Sequence, residues 1–452
     1  MSRPLLAALR RGGFAALLVV AFVLPARAVT IERVVSPGGI EAWLVQDKTL
    51  PVISLQAAFL GGAATDPADK AGLAHMVSTL LDEGAGPYDS QAFQRELETL
   101  ATSFRASAST DDFSVALRTL RINLEPAFEL LRLALAEPRF ADEPVARMRS
   151  EITVSLARKA QDPNTIAGRI WRHDVYGDHP YARQSEGTPE TVKSITVDDL
   201  RRFMRERIAR DVMTIGVVGD IDADTLKPLL DKTFGGLPQS SVPVTIPPAV
   251  ARGNGDLLLA RLPIPQSVVV FGQQGIKRDD PDWYAALIVN YVLGGGSFNS
   301  RLTEEVRVKR GLAYSVYTYL APFKHGGLVL GGVATENGRV AESIGLVRQE
   351  WQRMREEGPT AQELADAKTY LTGSYPLQFD STGRIAGALV DIQQEKLGID
   401  YLEKRNSYIE AVTLDDAKRV ARRLLDPDAL SFAVVGSPAN LKPTREIPPN
   451  GS

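Results

Sequence analysis

The sequence predicts an α+β fold made of two homologous α/β-sandwich domains in tandem, each with a mixed or antiparallel sheet covered by helices on one face. Two observations support it: strand-like runs alternate with amphipathic helical patterns, and the second half repeats motifs of the first half in order. The 452 residues are 44% hydrophobic and 24% charged, which is typical of folded globular proteins.

The repeat is visible in short motifs at nearly constant spacing. Pro51 and Pro265 each open an apolar strand-like run and are followed by an Asp-Pro pair, at Asp66 and Asp280. Later in each half a Thr-x-Asp-Asp sequence precedes a helical pattern and a Val-Val-Gly sequence ends a strand-like run; these begin at Thr196, Thr413, Val217 and Val434. The paired motifs are 214 or 217 residues apart. Such a long spacing indicates duplicated domains, because solenoid repeats are only about 20–50 residues long.

The domain boundaries follow from composition. Residues 1–28 combine early arginines, a short apolar core and an Ala-Arg-Ala end, which is typical of a secretory signal peptide. Residues 29–240 form the predicted N-terminal domain, and residues 256–440 form the C-terminal domain. The Pro- and Gly-rich residues 241–255 are predicted to be the linker, and residues 441–452 a loose tail.

Net charge and cysteine content argue against nucleic-acid binding, anionic-membrane binding and a cysteine-based zinc site. Removal of residues 1–28 takes away four arginines and no acid, which changes the formal charge from -3 to -7. An acidic chain is a poor match for nucleic acid or an anionic membrane. The chain has no cysteine, so it needs no disulfide and has no thiolate for a zinc site. We expect a periplasmic protein of a Gram-negative bacterium with no membrane span after signal cleavage.

One helical stretch, which runs from Gly72 to Leu81, carries His75, Ser78 and Thr79. It resembles the zinc helix of the pitrilysin/insulinase family of zinc peptidases, which has the inverted motif His-x-x-Glu-His. By this resemblance His75 stands at the first zinc ligand, Ser78 at the catalytic glutamate and Thr79 at the second histidine. The family's more distant third ligand falls near Ser155, where the nearest acid is Glu151.

The altered residues change what the motif could do. Two histidines four residues apart share one helix face and can hold one ion, but a threonine hydroxyl is a poor zinc ligand. Ser78 has no carboxylate, so the general base is missing as well. The remaining histidines offer no alternative ligand set. We therefore expect no metal on this chain, and expect His75 to be a partly buried histidine bonded to a neighbour.

The C-terminal half carries Arg307 and Tyr314 within a Ser-Arg-Leu and Gly-Leu-Ala-Tyr context. This resembles the family's second signature, an arginine and a tyrosine seven residues apart, which hold the substrate backbone and support the tetrahedral intermediate. A guanidinium and a phenol are suitable donors for a developing oxyanion. The preceding Gly294, Gly295 and Gly296 lack the Gly-Lys-Ser/Thr of a phosphate loop. They are candidates for contact with a peptide substrate, or simply a helix end with a turn.

Three functions remain open. The first is a non-catalytic subunit that pairs with a homologous chain carrying an intact His-x-x-Glu-His, closes a chamber around peptides, and supplies Arg307 and Tyr314 to the zinc site of that partner. The second is a scaffold subunit without a role in catalysis, as inactive relatives are in a respiratory complex. The third is a solo zinc peptidase using His75, Glu151 and an acid such as Asp82 or Glu83.

Overall fold

The structure is a computed structural model that describes residues 30–450. The predicted signal peptide, residues 1–28, lies outside the described residues.

The first half contains a large sheet and a small hairpin. Its strands are β1 (Glu32–Val35), β2 (Glu41–Gln46), β3 (Val52–Leu60), β4 (Gly84–Ala85), β5 (Tyr88–Asp89), β6 (Ser103–Ala108), β7 (Asp112–Leu120) and β8 (Met213–Gly219). Its helices are α1 (Leu73–Ser78), α2 (Ser90–Thr99), α3 (Leu124–Ala136), α4 (Asp142–Lys159), α5 (Pro163–Tyr176), α6 (Pro189–Ser194), α7 (Val197–Arg207) and α8 (Ala223–Phe234).

The second half repeats this order with fewer small elements. Its strands are β9 (Leu257–Arg261), β10 (Gln266–Gln274), β11 (Ala313–Phe323), β12 (Gly326–Glu336), β13 (Ser431–Gly436) and β14 (Arg445–Glu446). Its α-helices are α9 (Trp283–Asn290), α10 (Val340–Glu357), α11 (Ala361–Gly373), α12 (Thr382–Gln394), α13 (Tyr401–Ala411) and α14 (Leu414–Leu424), and two segments are π-helical, Tyr291–Gly295 and Thr303–Val308. Single 3₁₀ turns lie at Ala63–Thr65, Ala68–Lys70, Arg121–Asn123, Pro180–Ala182, Arg210–Val212, Ser297–Asn299, Asn337–Arg339 and Tyr375–Gln378.

Each half builds one mixed sheet, so the predicted fold class is confirmed. The first sheet has the order β1-β2-β8-β3-β7-β6, and the second has the order β11-β12-β10-β13-β9-β14. In the first sheet β8 pairs parallel with β2 and antiparallel with β3. In the second, β13 makes the corresponding parallel pair with β9 and antiparallel pair with β10. The helices of each half form an apolar core against one face of their own sheet.

The opposite face of each sheet is covered by a helix from the other half, which the sequence analysis did not anticipate. Helix α12 lies on β8 and β3 of the first sheet, and α5 lies on β10 and β13 of the second. Gly216 in β8 permits the approach of α12, because a Cβ there would lie 2.4 Å from the carbonyl oxygen of Ala386. Trp171 of α5 is 1% exposed and donates from its indole to the carbonyl of Ser431 at 3.2 Å.

The repeated motifs have local structural causes. Thr196 and Asp199 form a reciprocal capping box at the start of α7, and Thr413 and Asp416 form the same box at the start of α14. The glycine that ends each Val-Val-Gly sequence has a positive φ of 144° or 154° and touches the neighbouring strand, so a side chain has no room there. These residues set the ends of helices and strands and do not converge on a site.

Two further expectations concern the chain outside the domains. Within residues 241–255 the structure has no helix or strand. The segment predicted to be a loose tail is packed where it is described: Arg445–Glu446 pairs parallel with β9, and Arg445 forms ion pairs with Asp174 and Asp256. No helix among residues 30–450 is both long and apolar enough to cross a bilayer.

Candidate functional site

The helix with the altered zinc motif is short and held by a buried carboxylate. Helix α1 begins after Gly72, whose φ is 95°. The Asp66 carboxylate accepts hydrogen bonds from the backbone N–H groups of Gly72 and Ala74 at 3.0 and 3.1 Å. Burial raises the pKa of Asp66 to about 7 in spite of these bonds. The start of α1 therefore depends on Asp66, whose charged form is destabilised by burial.

His75 lies on α1 with a partly buried imidazole. Burial lowers its pKa; the nearby Glu186 carboxylate opposes this effect and the Lys159 ammonium adds to it. Lys159 is bonded to Glu186 at 2.7 Å. The imidazole makes no hydrogen bond to any residue within 30–450, so the expected bond to a neighbour is wrong. A cation, Lys159, stands close to the one retained position of the zinc motif.

Ser78 and Thr79 turn their hydroxyls back into their own helix. The Ser78 hydroxyl donates to the carbonyl of His75 at 2.7 Å, and the Thr79 hydroxyl donates to the carbonyl of Met76 at 3.0 Å. Side chains that bond to the preceding turn in this way satisfy their own donors locally. Neither hydroxyl is directed at a shared point with His75.

The acids considered as further ligands serve other partners. Glu151 has a side chain that is 61% exposed and lies 3.6 Å from Arg147, which also pairs with Glu83. Asp82 accepts a hydrogen bond from the Gln94 amide at 3.1 Å. Among residues 30–450 no three histidine or acidic side chains are grouped to hold a metal. The described residues are not arranged as a zinc site, so the structure offers no support for the hypothesis of a solo zinc peptidase.

The structure brings Arg307 and Tyr314 together in the second half. Arg307 lies in the π-helical segment Thr303–Val308, and Tyr314 lies near the start of β11. The guanidinium carbon of Arg307 is 5.0 Å from the centre of the Tyr314 ring and 4.7 Å from that of Phe298. Tyr314 is 85% exposed, and Phe298 is 65% exposed. The arginine is thus held by two aromatic faces that themselves point to solvent.

These two side chains keep their donors free. Within the described part of the chain, the Arg307 guanidinium makes no ion pair or hydrogen bond, and the Tyr314 hydroxyl makes no hydrogen bond. An arginine offers five N–H donors in a planar fork, and a phenol offers one O–H. Stacking orients the guanidinium without using those donors. The pair can therefore donate to a carbonyl or an oxyanion brought to this surface.

The glycine run Gly294–Gly296 packs against β11, the strand that carries Tyr314. Gly294 and Gly296 are buried, while Gly295 is exposed. A Cβ on Gly294 would lie 2.5 Å from the Thr318 hydroxyl, and a Cβ on Gly295 would lie 2.6 Å from the Asn290 amide nitrogen. The run is therefore the tightly packed end of a π-helix against β11, the strand that carries Tyr314. Of the three, only Gly295 has surface to offer a substrate.

Sequence reasoning missed three parts of this site. Phe298 stacks on Arg307, but no motif singles it out except its position just after the glycines. Arg301 is buried and makes a two-bond ion pair with Glu363, both bonds 2.7 Å long, which ties the Arg307 segment to α11. The two π-helical turns, a form that is rare and often found at functional sites, have no simple sequence signal.

Comparison with known proteins places these features in a family. Residues 44–188 match the model "Insulinase (Peptidase family M16)", and residues 194–371 match "Peptidase M16 inactive domain". The non-peptidase homolog YmxG of Helicobacter pylori is 26% identical over 393 residues, with 87% of this chain and 90% of the relative covered. An uncharacterized zinc protease of Streptomyces coelicolor is 27% identical over 421 residues, with 90% of each covered.

Solved structures agree with the sequence matches. A crystal structure of a peptidase M16 inactive domain from Pseudomonas fluorescens has a TM-score of 0.85 and 27% identity, and covers 92% of this chain and 100% of its own. A protease from Helicobacter pylori shares the fold, with a TM-score of 0.81 at 18% identity over 90% of this chain and 99% of its own. Two consecutive models of one family and the two-sheet fold lead to one conclusion: the chain belongs to peptidase family M16, the insulinase family.

Proposed function

We propose that this chain is the non-catalytic subunit of a two-chain M16 zinc peptidase. It pairs with a homologous chain that carries an intact His-x-x-Glu-His and zinc, and it presents Arg307 and Tyr314 to peptides held at the zinc site of that partner. The observation that carries the proposal is the contrast between the halves within residues 30–450. His75 belongs to no group of three possible metal ligands, whereas Arg307 is oriented by two rings with its donors free.

The roles of the two residues follow from their donors. Zinc held by the intact motif of the partner would supply an activated water, and the carbonyl oxygen of the peptide would gain negative charge during hydrolysis. The Tyr314 hydroxyl donates to that oxygen, and the Arg307 guanidinium binds a neighbouring backbone carbonyl of the peptide. Such donors accelerate a reaction when they are fixed before the charge develops. Stacking between Phe298 and Tyr314 supplies this fixation for Arg307.

The names of similar proteins support the non-catalytic part of the proposal. One relative is called a non-peptidase homolog, and the matched family model and solved structure are called inactive domains. We extend that description to this chain because Ser78 and Thr79 replace the residues that the motif requires. A periplasmic site of action, expected from residues 1–28, and peptides as substrates belong to the same proposal.

The test is reconstitution with an M16 chain that has an intact motif. Each chain alone, and the pair, are assayed on a fluorogenic peptide, and zinc content is measured by plasma mass spectrometry. We expect this chain alone to hold no stoichiometric zinc and to cleave nothing, and the pair to cleave. Zinc-dependent cleavage by this chain alone would contradict the proposal.

Matched variants then test the site. Tyr314→Phe removes one hydroxyl and should lower the kcat of the pair by about 10²-fold, the effect of losing one oxyanion donor. Tyr408→Phe, on α13, is the control and should leave kcat unchanged. Arg307→Gln should raise KM, whereas Arg422→Gln on α14 should not. Normal turnover by both site variants in an intact complex would refute their role and leave the scaffold function.

A further inference from the structure

A cavity of about 900 Å³ lies beside the altered zinc helix, and the proposed function does not use it. Its walls come from the end of α4, one side of α5 and the loop that leads to α6. Leu156, Ala160, Ile166 and Ala182 supply apolar surface. Pockets of about 300–1,000 Å³ with mostly apolar walls and a few polar groups are typical of small-ligand sites.

Two arginines in this wall have only backbone carbonyls as hydrogen-bond acceptors within residues 30–450, although the charge of Asp66 also acts on Arg183. Arg169 donates only to the backbone carbonyl of Pro449, and Arg183 donates to the backbone carbonyl of Asp66 at 2.8 Å. Neither forms an ion pair with a carboxylate among residues 30–450. Both side chains are partly buried, and burial lowers the pKa of each. Partly buried charges normally have charged partners, so two guanidinium groups with only neutral acceptors indicate room for an anion.

The other charged groups of the cavity do not cancel these arginines. Lys159 also lines the wall, but its ammonium is bonded to Glu186. Asp178 and Glu190 line the cavity with exposed side chains, and neither pairs with Arg169 or Arg183. The buried part of the wall is therefore cationic. It adjoins α1, the helix that corresponds to the zinc-binding helix of family members with an intact motif.

We infer that this cavity binds a carboxylate attached to a short apolar body, with the carboxylate on Arg169 and Arg183 and the body on Leu156 and Ile166. Guanidinium–carboxylate pairs are strong and geometrically specific, and the apolar wall adds affinity for an aliphatic chain. The carboxylate can belong to the C-terminus of a peptide or to a small organic acid, since both have the same chemistry.

A segment of this chain already uses part of the site. Residues after β14 run toward α5, the carbonyl of Pro449 accepts from Arg169, and Asn450 lines the cavity. The wall therefore already accommodates peptide backbone against a guanidinium. A carboxylate is a stronger acceptor than this carbonyl, because its hydrogen bonds to arginine are charge-assisted.

Isothermal titration calorimetry of this chain alone tests the inference without any peptidase activity. The first arm compares octanoate with octanamide, which has the same body without the charge. We expect octanoate to bind at one site per chain, at least tenfold more tightly than octanamide. The second arm compares N-acetyl-Ala-Leu-Leu bearing a free carboxylate with its C-terminal amide; the tighter of the two acids identifies the source of the ligand.

Variants connect the binding to the cavity. Arg169→Gln should weaken octanoate at least tenfold, and Arg183→Gln should do the same, whereas Arg172→Gln, exposed on the same helix as Arg169, should have no effect. Ala160→Phe keeps both arginines but places a ring against the apolar wall, so it should also weaken octanoate binding. If Arg183→Gln disturbs α1 through Asp66, Ala160→Phe still tests whether octanoate binds in this cavity.

Three results would overturn the inference: no saturable binding of either acid, equal affinity for octanoate and octanamide, or octanoate affinity unchanged in both Arg169→Gln and Ala160→Phe. None of these depends on a partner chain. Failure here therefore leaves the proposed function intact, and loss of the proposed function leaves this cavity intact.

Discussion

Replacing Asp66 by asparagine should remove a pH dependence from the stability of the first half. The carboxyl is buried and caps α1 through the N–H groups of Gly72 and Ala74. Its pKa is raised from 3.8 to about 7, chiefly by burial. Because the pKa of Asp66 is higher in the folded state than in the unfolded state, the folded state binds the proton more tightly. The folded state therefore loses stability as pH rises through about 7. Asparagine resembles the protonated acid and does not titrate.

The magnitude follows from the two pKa values. Between pH 5.5 and 8.5 an acid that titrates near 7 when folded and near 3.8 when unfolded should cost about 2 kcal/mol of unfolding free energy. Asp112, whose burial raises its pKa to about 6, acts in the same direction in both proteins, so it cancels in the comparison. The wild type should therefore lose about 2 kcal/mol more than Asp66→Asn over this range.

Urea unfolding at pH 5.5 and 8.5, followed by circular dichroism, measures this difference. Asp69→Asn is the matched control, because Asp69 is exposed in the next turn and should leave the wild-type pH dependence unchanged. The reasoning is refuted if wild type and Asp66→Asn change in parallel to within about 0.5 kcal/mol, since the expected difference is four times larger.

Three further changes have definite expected outcomes. Glu363→Gln leaves Arg301 buried without its charge partner and should cost about 3–5 kcal/mol in urea unfolding; a loss below about 1 kcal/mol would mean that the pair is solvated. Trp171→Ala removes a side chain that α5 buries on the second sheet, so it should cost about 3–5 kcal/mol. Two separate unfolding transitions should then appear in place of one, and a single unshifted transition would contradict this. Ser78→Glu combined with Thr79→His restores two motif residues, yet dialysis and metal analysis should still find less than one zinc per chain. The reason is that Glu186, the acid close to His75, is bonded to Lys159, and Glu151 lies against Arg147. Full occupancy would refute that account.

Much of the fold was predictable because the duplication repeats local signals. Thr196 and Thr413 start helices through capping boxes, and Gly219 and Gly436 end strands where a Cβ would collide with a neighbour. Such effects act over a few residues, so they are readable in sequence. The tandem order of two α/β halves followed from the repeat, whereas the sequence left mixed and antiparallel sheets both open.

The exchange of helices between the halves was not predictable in the same way. The spacing of Ile166, Ile170 and Trp171 shows that α5 has an apolar face, but it does not show which sheet that face covers. The choice depends on the shape of two assembled sheets. Likewise, the packed segment at Arg445–Glu446 has the composition of a tail, and only the free edge of β9 makes it a strand.

The candidate site divides along the same line. Arg307 and Tyr314 were found through a family resemblance, and the structure adds Phe298 as the ring that completes the stack. His75 was predicted to bond to a neighbour, because an imidazole usually does; the structure gives it the Lys159–Glu186 pair as electrostatic surroundings instead. Arg169 and Arg183 lie on a helix and a loop and carry no motif, so only the folded chain brings them to one cavity.

The two halves are held together because α5 and α12 each cover the sheet of the other half. A protease that cuts within the exposed residues 242–245 would leave two fragments, each holding a helix that the other needs to cover its sheet. Such a nicked protein should migrate as one particle until denaturant is added. Either fragment made alone would leave one whole sheet face open to water and would be prone to aggregate. A hinge motion between the two halves would have to separate α5 and α12 from the sheets that they cover.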